Sequence, residues 1–188
     1  MKYLTKKRAI LVGMLIILAY SMLTYDITGN EVIGFIADEV SGLAVIGIAL
    51  LMYPIFALSD KKLINYIYFA SRLIEGLLMV MGGCFIIFGN SDSIRGMIYS
   101  NIHIWFFIVG ALTFYYLLYL TKAVPRYIAV WGLVASALLI PNAVFTILGL
   151  ESTFLGILVL PMILNELYLA IRLIIKGFVV ESESKFSQ

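Results

Sequence analysis

Long apolar stretches alternate with short polar ones along the chain. A helix needs roughly 20 apolar residues to cross the hydrocarbon layer of a bilayer. Six stretches approach or exceed this length, at residues 9–25, 41–58, 63–89, 102–120, 125–150 and 155–178. The pattern predicts an all-α polytopic membrane bundle of six transmembrane helices, which forms a single domain over residues 1–180. Residues 181–188 are polar and are predicted to form a short cytoplasmic tail.

The composition supports the membrane class and narrows the chemistry. Of the 188 residues, 63% are apolar and 13% are charged, and such values are typical of polytopic membrane proteins. Cys84 is the only cysteine and His103 the only histidine, so neither a metal nor a cofactor is expected. The chain carries no phosphate loop, nucleophile elbow or dinucleotide fingerprint. An enzyme is therefore the less favoured class, and nucleic acid is not an expected partner.

Charge in the loops predicts the orientation of the helices. Basic residues precede the first stretch, lie in every second loop and stand at and after the end of the sixth stretch, namely Lys2, Lys6, Lys7, Arg8, Lys61, Lys62, Lys122, Arg126, Lys176 and Lys185. The opposite loops are acidic, with Arg95 as their only basic residue. Because positively charged loops stay in the cytoplasm, both termini are predicted to be cytoplasmic in a multi-pass protein of the cell membrane.

Two segments outside the apolar stretches have their own predictions. Residues 31–40 place apolar side chains at roughly helical spacing between acidic ones. This pattern fits either a short helix on the outer surface or an extension of the first or second helix into the headgroup layer. His103 and Trp105 stand at the outer end of the fourth stretch, where they are expected to anchor the helix at the interface.

Four ionisable residues lie inside the apolar stretches: Arg72, Glu75, Glu166 and Arg172. A charge within the membrane is costly unless it is paired or hydrated, so these residues mark the candidate site. At a rise of about 1.5 Å per residue, Arg72 lies roughly 15 Å beyond Lys62, near the midplane. Glu75 shares its helix face. Arg172 lies nearer the cytoplasm, which its long side chain can reach.

The depths of these charges predict a polar network between the third and sixth helices. Arg72 and Glu166 fall at comparable heights, and each needs a partner. One arginine faces two carboxylates, so either a carboxyl group holds a proton or a cation or polar ligand completes the balance. Asn165, beside Glu166, and Asn142 in the fifth stretch are further candidate members of this site.

Three functional hypotheses remain open. The leading hypothesis is binding or transport of a small molecule, lipid or ion, with Arg72 holding a carboxylate or headgroup of the ligand. The second is an intramembrane enzyme that acts on a lipid with Glu166 as general base. The third is a structural or partner-binding protein whose charges form only a buried ion-pair network. Membrane lipids are expected partners in each case, and the sequence leaves the oligomeric state open.

Short motifs along the chain resemble a known family. They are Arg72 with Glu75, Val124-Pro125-Arg126 leading to Trp131-Gly132, Pro161 with Asn165-Glu166, and Lys176-Gly177-Phe178. Together they resemble, over nearly the whole chain, a prokaryotic membrane family catalogued as domain of unknown function 4386. The resemblance implies the bundle architecture and assigns no substrate. In that family the position of Arg172 is more often aromatic, which implies that Arg172 is peripheral, whereas Arg72, Glu75 and Glu166 match the pattern.

Overall fold

A computed structural model of the protein describes residues 5–88, 92–150 and 156–179. Over these ranges the chain is helical and contains no strand, which confirms the predicted all-α class. The helices are α1 (Lys6–Ala19), α2 (Leu23–Thr28), α3 (Glu31–Phe56), α4 (Lys62–Phe88), α5 (Asp92–Met97), α6 (Ile104–Thr121), α7 (Arg126–Ile147) and α8 (Leu160–Lys176). A 3-10 turn at Tyr20–Met22 joins α1 to α2, another at Ala57–Ser59 follows α3, and a π-helical turn at Ile98–His103 joins α5 to α6.

Joined in this way, the elements make six long helical units. In the described part of the chain, five of them are long and apolar enough to cross a membrane: Lys6–Thr28, Glu31–Ser59, Lys62–Phe88, Ser93–Thr121 and Arg126–Ile147. The sixth unit, α8, has 17 residues and packs against α1 and α7. The protein is thus a helical membrane protein, while its orientation and its particular membrane stay predictions.

The second spanning helix begins earlier than predicted. It starts at Glu31 rather than at residue 41, so residues 31–40 extend this helix and form no separate surface helix. Gly29 ends α2 with a left-handed φ of 62°, a conformation that glycine adopts without strain. Asn30 then caps α3, because its side-chain oxygen accepts a hydrogen bond of 3.1 Å from the Ile33 amide.

The fourth spanning helix also begins earlier than predicted. The helical unit runs from Ser93, whereas the apolar pattern placed its start at residue 102. Arg95, which was assigned to a loop, therefore lies inside the helix. The polar tail predicted at residues 181–188 lies outside the described residues.

Two glycines bring α3 and α4 into backbone contact. A Cβ atom added to Gly42 would lie 2.6 Å from the Gly76 carbonyl oxygen, and one added to Gly76 would lie 2.7 Å from the Gly42 carbonyl oxygen. Small residues allow membrane helices to approach in this way. Glu75 immediately precedes Gly76 in the chain, so the contact between α3 and α4 fixes the position of Glu75 in the bundle.

An aromatic cluster fills the bundle near the turn between α3 and α4. The ring of Phe56 lies 5.0 Å from that of Tyr68 and 5.6 Å from that of Phe114. Tyr68 and Phe114 stack at 5.7 Å. Since Tyr68 lies one helical turn before Arg72, this packed cluster closes the interior on one side of the charged residues.

Replacing Gly42 by alanine is expected to destabilise the bundle. The added methyl group would have to push apart two backbones that already touch, and overpacking of this kind costs about 1–3 kcal/mol. Thermal unfolding of the purified protein in detergent measures the effect. Gly96→Ala is the matched control, because a Cβ atom at Gly96 meets no atom within 4 Å. Equal melting temperatures for the two variants would contradict a tight crossing.

Candidate functional site

A cavity of about 320 Å³ lies inside the bundle. Its walls come from α1, α3, α4, α7, α8 and the helix Ser93–Thr121. Most of the lining is apolar and includes Ile16, Val45, Ile48, Met79, Phe107 and Leu139. Both the volume and the apolar lining are typical of sites that hold a small molecule. The polar groups of the wall are few and include the charged residues predicted from the sequence.

Arg72 and Glu75 form an ion pair in this wall. The Nη1 atom of Arg72 donates to both carboxylate oxygens of Glu75, at 3.0 and 2.8 Å, and both residues are buried. α6 leaves room for the guanidinium, because a Cβ atom added to Gly110 would lie 2.8 Å from Nε of Arg72. The ring of Phe107 contacts the guanidinium at 5.3 Å. The prediction that Arg72 and Glu75 share one helix face is confirmed.

Glu166 lines the same cavity but does not form the predicted direct pair with Arg72. The Tyr20 hydroxyl instead donates to Oε2 of Glu166 at 2.7 Å. Within the described residues no basic side chain lies within ion-pair distance of Glu166. Glu75 takes the guanidinium because a neighbour three residues along the same helix is always within reach. The 3-10 turn at Tyr20–Met22 supplies the tyrosine that replaces the arginine.

His103 lies in the wall of the cavity, so the prediction that it anchors the helix at the interface is wrong. The helix begins ten residues before it, at Ser93, which places His103 roughly 15 Å inside the helical unit. Only 5% of the residue is exposed. Its Nε2 atom lies 3.9 Å from Oε1 of Glu75 and has no hydrogen-bond partner among the described residues.

The π-helical turn brings three residues to the cavity. Tyr99, Ser100 and His103 all belong to the turn Ile98–His103 and all line the wall. A π turn widens the helix locally and is frequent at functional sites. Nothing in the apolar pattern of the sequence indicates this turn.

The other predicted site residues divide between the wall and the periphery. Asn142 lines the cavity. Asn165 is fully buried beside Tyr115 and is not part of the wall. Arg172 donates from Nη1 to the Gly177 carbonyl oxygen at 2.8 Å, at the end of α8. The structure therefore gathers Arg72, Glu75, Glu166 and Asn142 around one space, and places Asn165 and Arg172 outside it.

A second charged cluster was not predicted as a site. The Nε and Nη2 atoms of Arg95 donate to the two carboxylate oxygens of Asp38 at 2.8 and 3.0 Å, and Nη1 lies 3.3 Å from Oδ1 of Asp26. The rings of Tyr25 and Tyr99 lie 4.7 and 4.5 Å from the guanidinium. Asp38 is fully buried. The signal in the sequence was Arg95 itself, the one basic residue among acidic neighbours.

The second cluster borders the main cavity. Asp26 and Arg95 line a smaller cavity of about 190 Å³. Four residues belong to the walls of both cavities: Met22, Leu23, Tyr99 and Ser100. Since the side chain of Asp26 is 62% exposed, the smaller cavity lies between the main cavity and the protein surface.

The carboxyl-terminal half of the chain matches a known family model. That model is described as "Domain of unknown function (DUF4386)" and matches residues 94–177. The resemblance found in the sequence is confirmed over this range. The DUF4386 match includes Glu166, Asn165 and Asn142, and it begins after Arg72 and Glu75. Neither the curated proteins nor the solved structures contain a match to the chain. The DUF4386 description names no activity, so function has to be argued from the site.

Removing the charge of Arg95 is expected to destabilise the protein strongly. Arg95→Gln leaves Asp38 buried without its bidentate partner, and breaking a buried pair from one side costs about 3–5 kcal/mol. Asp26→Asn is the matched control, because an exposed ion pair contributes about 0–1 kcal/mol. Denaturation in detergent compares the two variants with the wild type. A similar stability loss in both would argue against a buried Arg95–Asp38 pair.

Proposed function

We propose that the protein binds a small molecule or lipid that has an apolar body and one polar group, inside the membrane bundle. The observation that carries the proposal is the cavity of about 320 Å³. Its wall is apolar over most of its extent and polar at a few converging residues, which include Arg72, Glu75, His103 and Glu166. This combination is the one by which proteins hold and orient small ligands.

The open space next to the ion pair favours a ligand over a purely structural network. Charges that only fix helix packing need no adjoining cavity, since protein interiors pack as densely as organic crystals. Here Arg72 and Glu75 face a space. Nε2 of His103 is buried and has no hydrogen-bond partner within the described part of the chain. An unsatisfied buried polar group is costly, so an occupant that bonds to it would be stabilised.

Binding is better supported than transport across the membrane. A transported molecule needs access to the cavity from both sides. The smaller cavity at Asp26 offers one approach. The cluster of Phe56, Tyr68 and Phe114 fills the interior on the other side of Arg72.

Filling the cavity is expected to remove the ligand. Ala19 lines the cavity on α1, so Ala19→Phe would place a ring where the ligand lies. Leu18→Phe is the matched control, because Leu18 is 42% exposed on the same helix and is not part of the wall. Native mass spectrometry of the gently solubilised protein should detect a bound molecule in the wild type and in Leu18→Phe. It should detect none in Ala19→Phe.

The same spectra can also contradict the proposal. A molecule that still binds to Ala19→Phe must occupy another site. The absence of any bound molecule in all three samples would contradict a ligand in the cavity. Arg72→Ala would discriminate less well, because it leaves Glu75 buried without its partner and weakens the fold together with the site.

A further inference from the structure

We infer that the ligand of this cavity is an organic cation, with one protonated amine on an apolar chain. The inference rests on the proposed function and adds the charge class of the ligand. It differs from the expectation drawn from the sequence, in which Arg72 holds a carboxylate or headgroup of the ligand.

The charges in the wall favour a cation. Arg72 contributes one positive charge, and Glu75 neutralises it through two hydrogen bonds. Glu166 adds a second carboxylate, whose described partner is the neutral hydroxyl of Tyr20. With both carboxyl groups ionised, an acidic ligand would add a third negative charge to the site, whereas an ammonium group would bring it to neutrality and would favour the ionised form of Glu166. Such differences weigh heavily where the dielectric constant is low.

The acceptor atoms in the wall fit the same ligand. A primary ammonium group has three donors and no acceptor, while carboxylates accept only. Oε1 of Glu75 and Nε2 of His103 are 3.9 Å apart, which is too long for a hydrogen bond. One donor atom about 2.8 Å from each would bridge them. When neutral His103 carries its proton on Nδ1, Nε2 accepts this bond.

The rest of the wall points to an organic cation and away from a metal ion. Among the described residues no group of three or more His, Cys, Asp or Glu side chains is placed to hold a metal. Ile48, Met79, Leu139, Met162 and Leu169 line the space beyond the charged residues. An alkyl chain is the natural partner of such a surface.

The charges beside the smaller cavity, which leads to the main cavity, also have a negative excess. Arg95 faces two carboxylates, those of Asp38 and Asp26. Arg95 and Asp26 line the smaller cavity, and Asp38 is fully buried beside Arg95, so this cluster of three charges has one negative charge in excess. A surplus charge at the mouth of a cleft raises the local concentration of ligands of the opposite sign. The inner and outer clusters thus favour a cation independently of each other.

Three probes of equal chain length test the inference. Octylamine, octanol and octanoate are added separately, near neutral pH, to the full chain in a neutral detergent. Native mass spectrometry and the shift in melting temperature measure binding. Octylamine should bind one to one and raise the melting temperature. Octanoate should bind at least about tenfold more weakly, since its carboxylate cannot donate hydrogen bonds to the carboxylates of the wall, as an ammonium group can.

Removing the charge of Glu166 should abolish the preference for the amine. Glu166→Gln keeps an oxygen that accepts from Tyr20, and it should lower octylamine affinity at least about tenfold while octanol binding stays unchanged. Glu31→Gln is the matched control, since Glu31 lies exposed in the first turn of α3, away from the cavity. If Glu166→Gln fails to fold, the order of the three probes on the wild type still tests the charge.

The outcomes separate this inference from the proposed function. Octanoate binding as tightly as octylamine, or octylamine binding that is indifferent to Glu166→Gln, overturns the cationic ligand and leaves the binding site in place. If no probe binds, the inference is overturned. The proposed function is also contradicted if Ala19→Phe retains the same bound molecules as the wild type.

Discussion

The ion pair between Arg72 and Glu75 determines which residues the neighbouring helices can place beside it. A lone charge costs at least a few kcal/mol in the bilayer centre. Because both partners lie on α4, that helix enters the membrane with its charge already balanced. α6 accommodates the pair with Gly110 and Phe107. α8 then contributes Glu166 to a site whose arginine already has a partner, and its carboxyl group accepts from the Tyr20 hydroxyl instead.

That Arg72, Glu75 and Glu166 lie at one level of the bundle could be predicted from the sequence, but the rotation of their helices about their axes could not. The number of helices, the shared face of Arg72 and Glu75, and the presence of Glu166 near them follow from length, rise per residue and hydropathy. The predicted pair between Arg72 and Glu166 did not form, because two side chains at equal height meet only if their helices turn the right faces toward each other. Tyr20, a residue with no distinguishing pattern, takes that position.

The other differences between prediction and structure arise where a helix begins or where its pitch changes. Asp38 and Arg95 are buried together, although charges near the end of an apolar stretch look the same in a sequence whether they lie in a loop or in a helix. His103 changed from an interfacial to an interior residue when the start of its helix moved to Ser93. The 3-10 turn at Tyr20–Met22 and the π turn at Ile98–His103 both alter the helical pitch beside the cavity. Hydrophobic periodicity does not report such turns.

The two buried arginines differ in how far along the chain their partners lie, and this difference decides what each pair needs in order to form. Arg72 finds Glu75 three residues away on its own helix, so α4 can partition into the bilayer as an independent unit. Arg95 needs Asp38, 57 residues earlier in the chain. Its partner lies on α3, so this pair joins two different helices. The inner pair can therefore form within a single helix, whereas the outer pair can form only when two helices pack together.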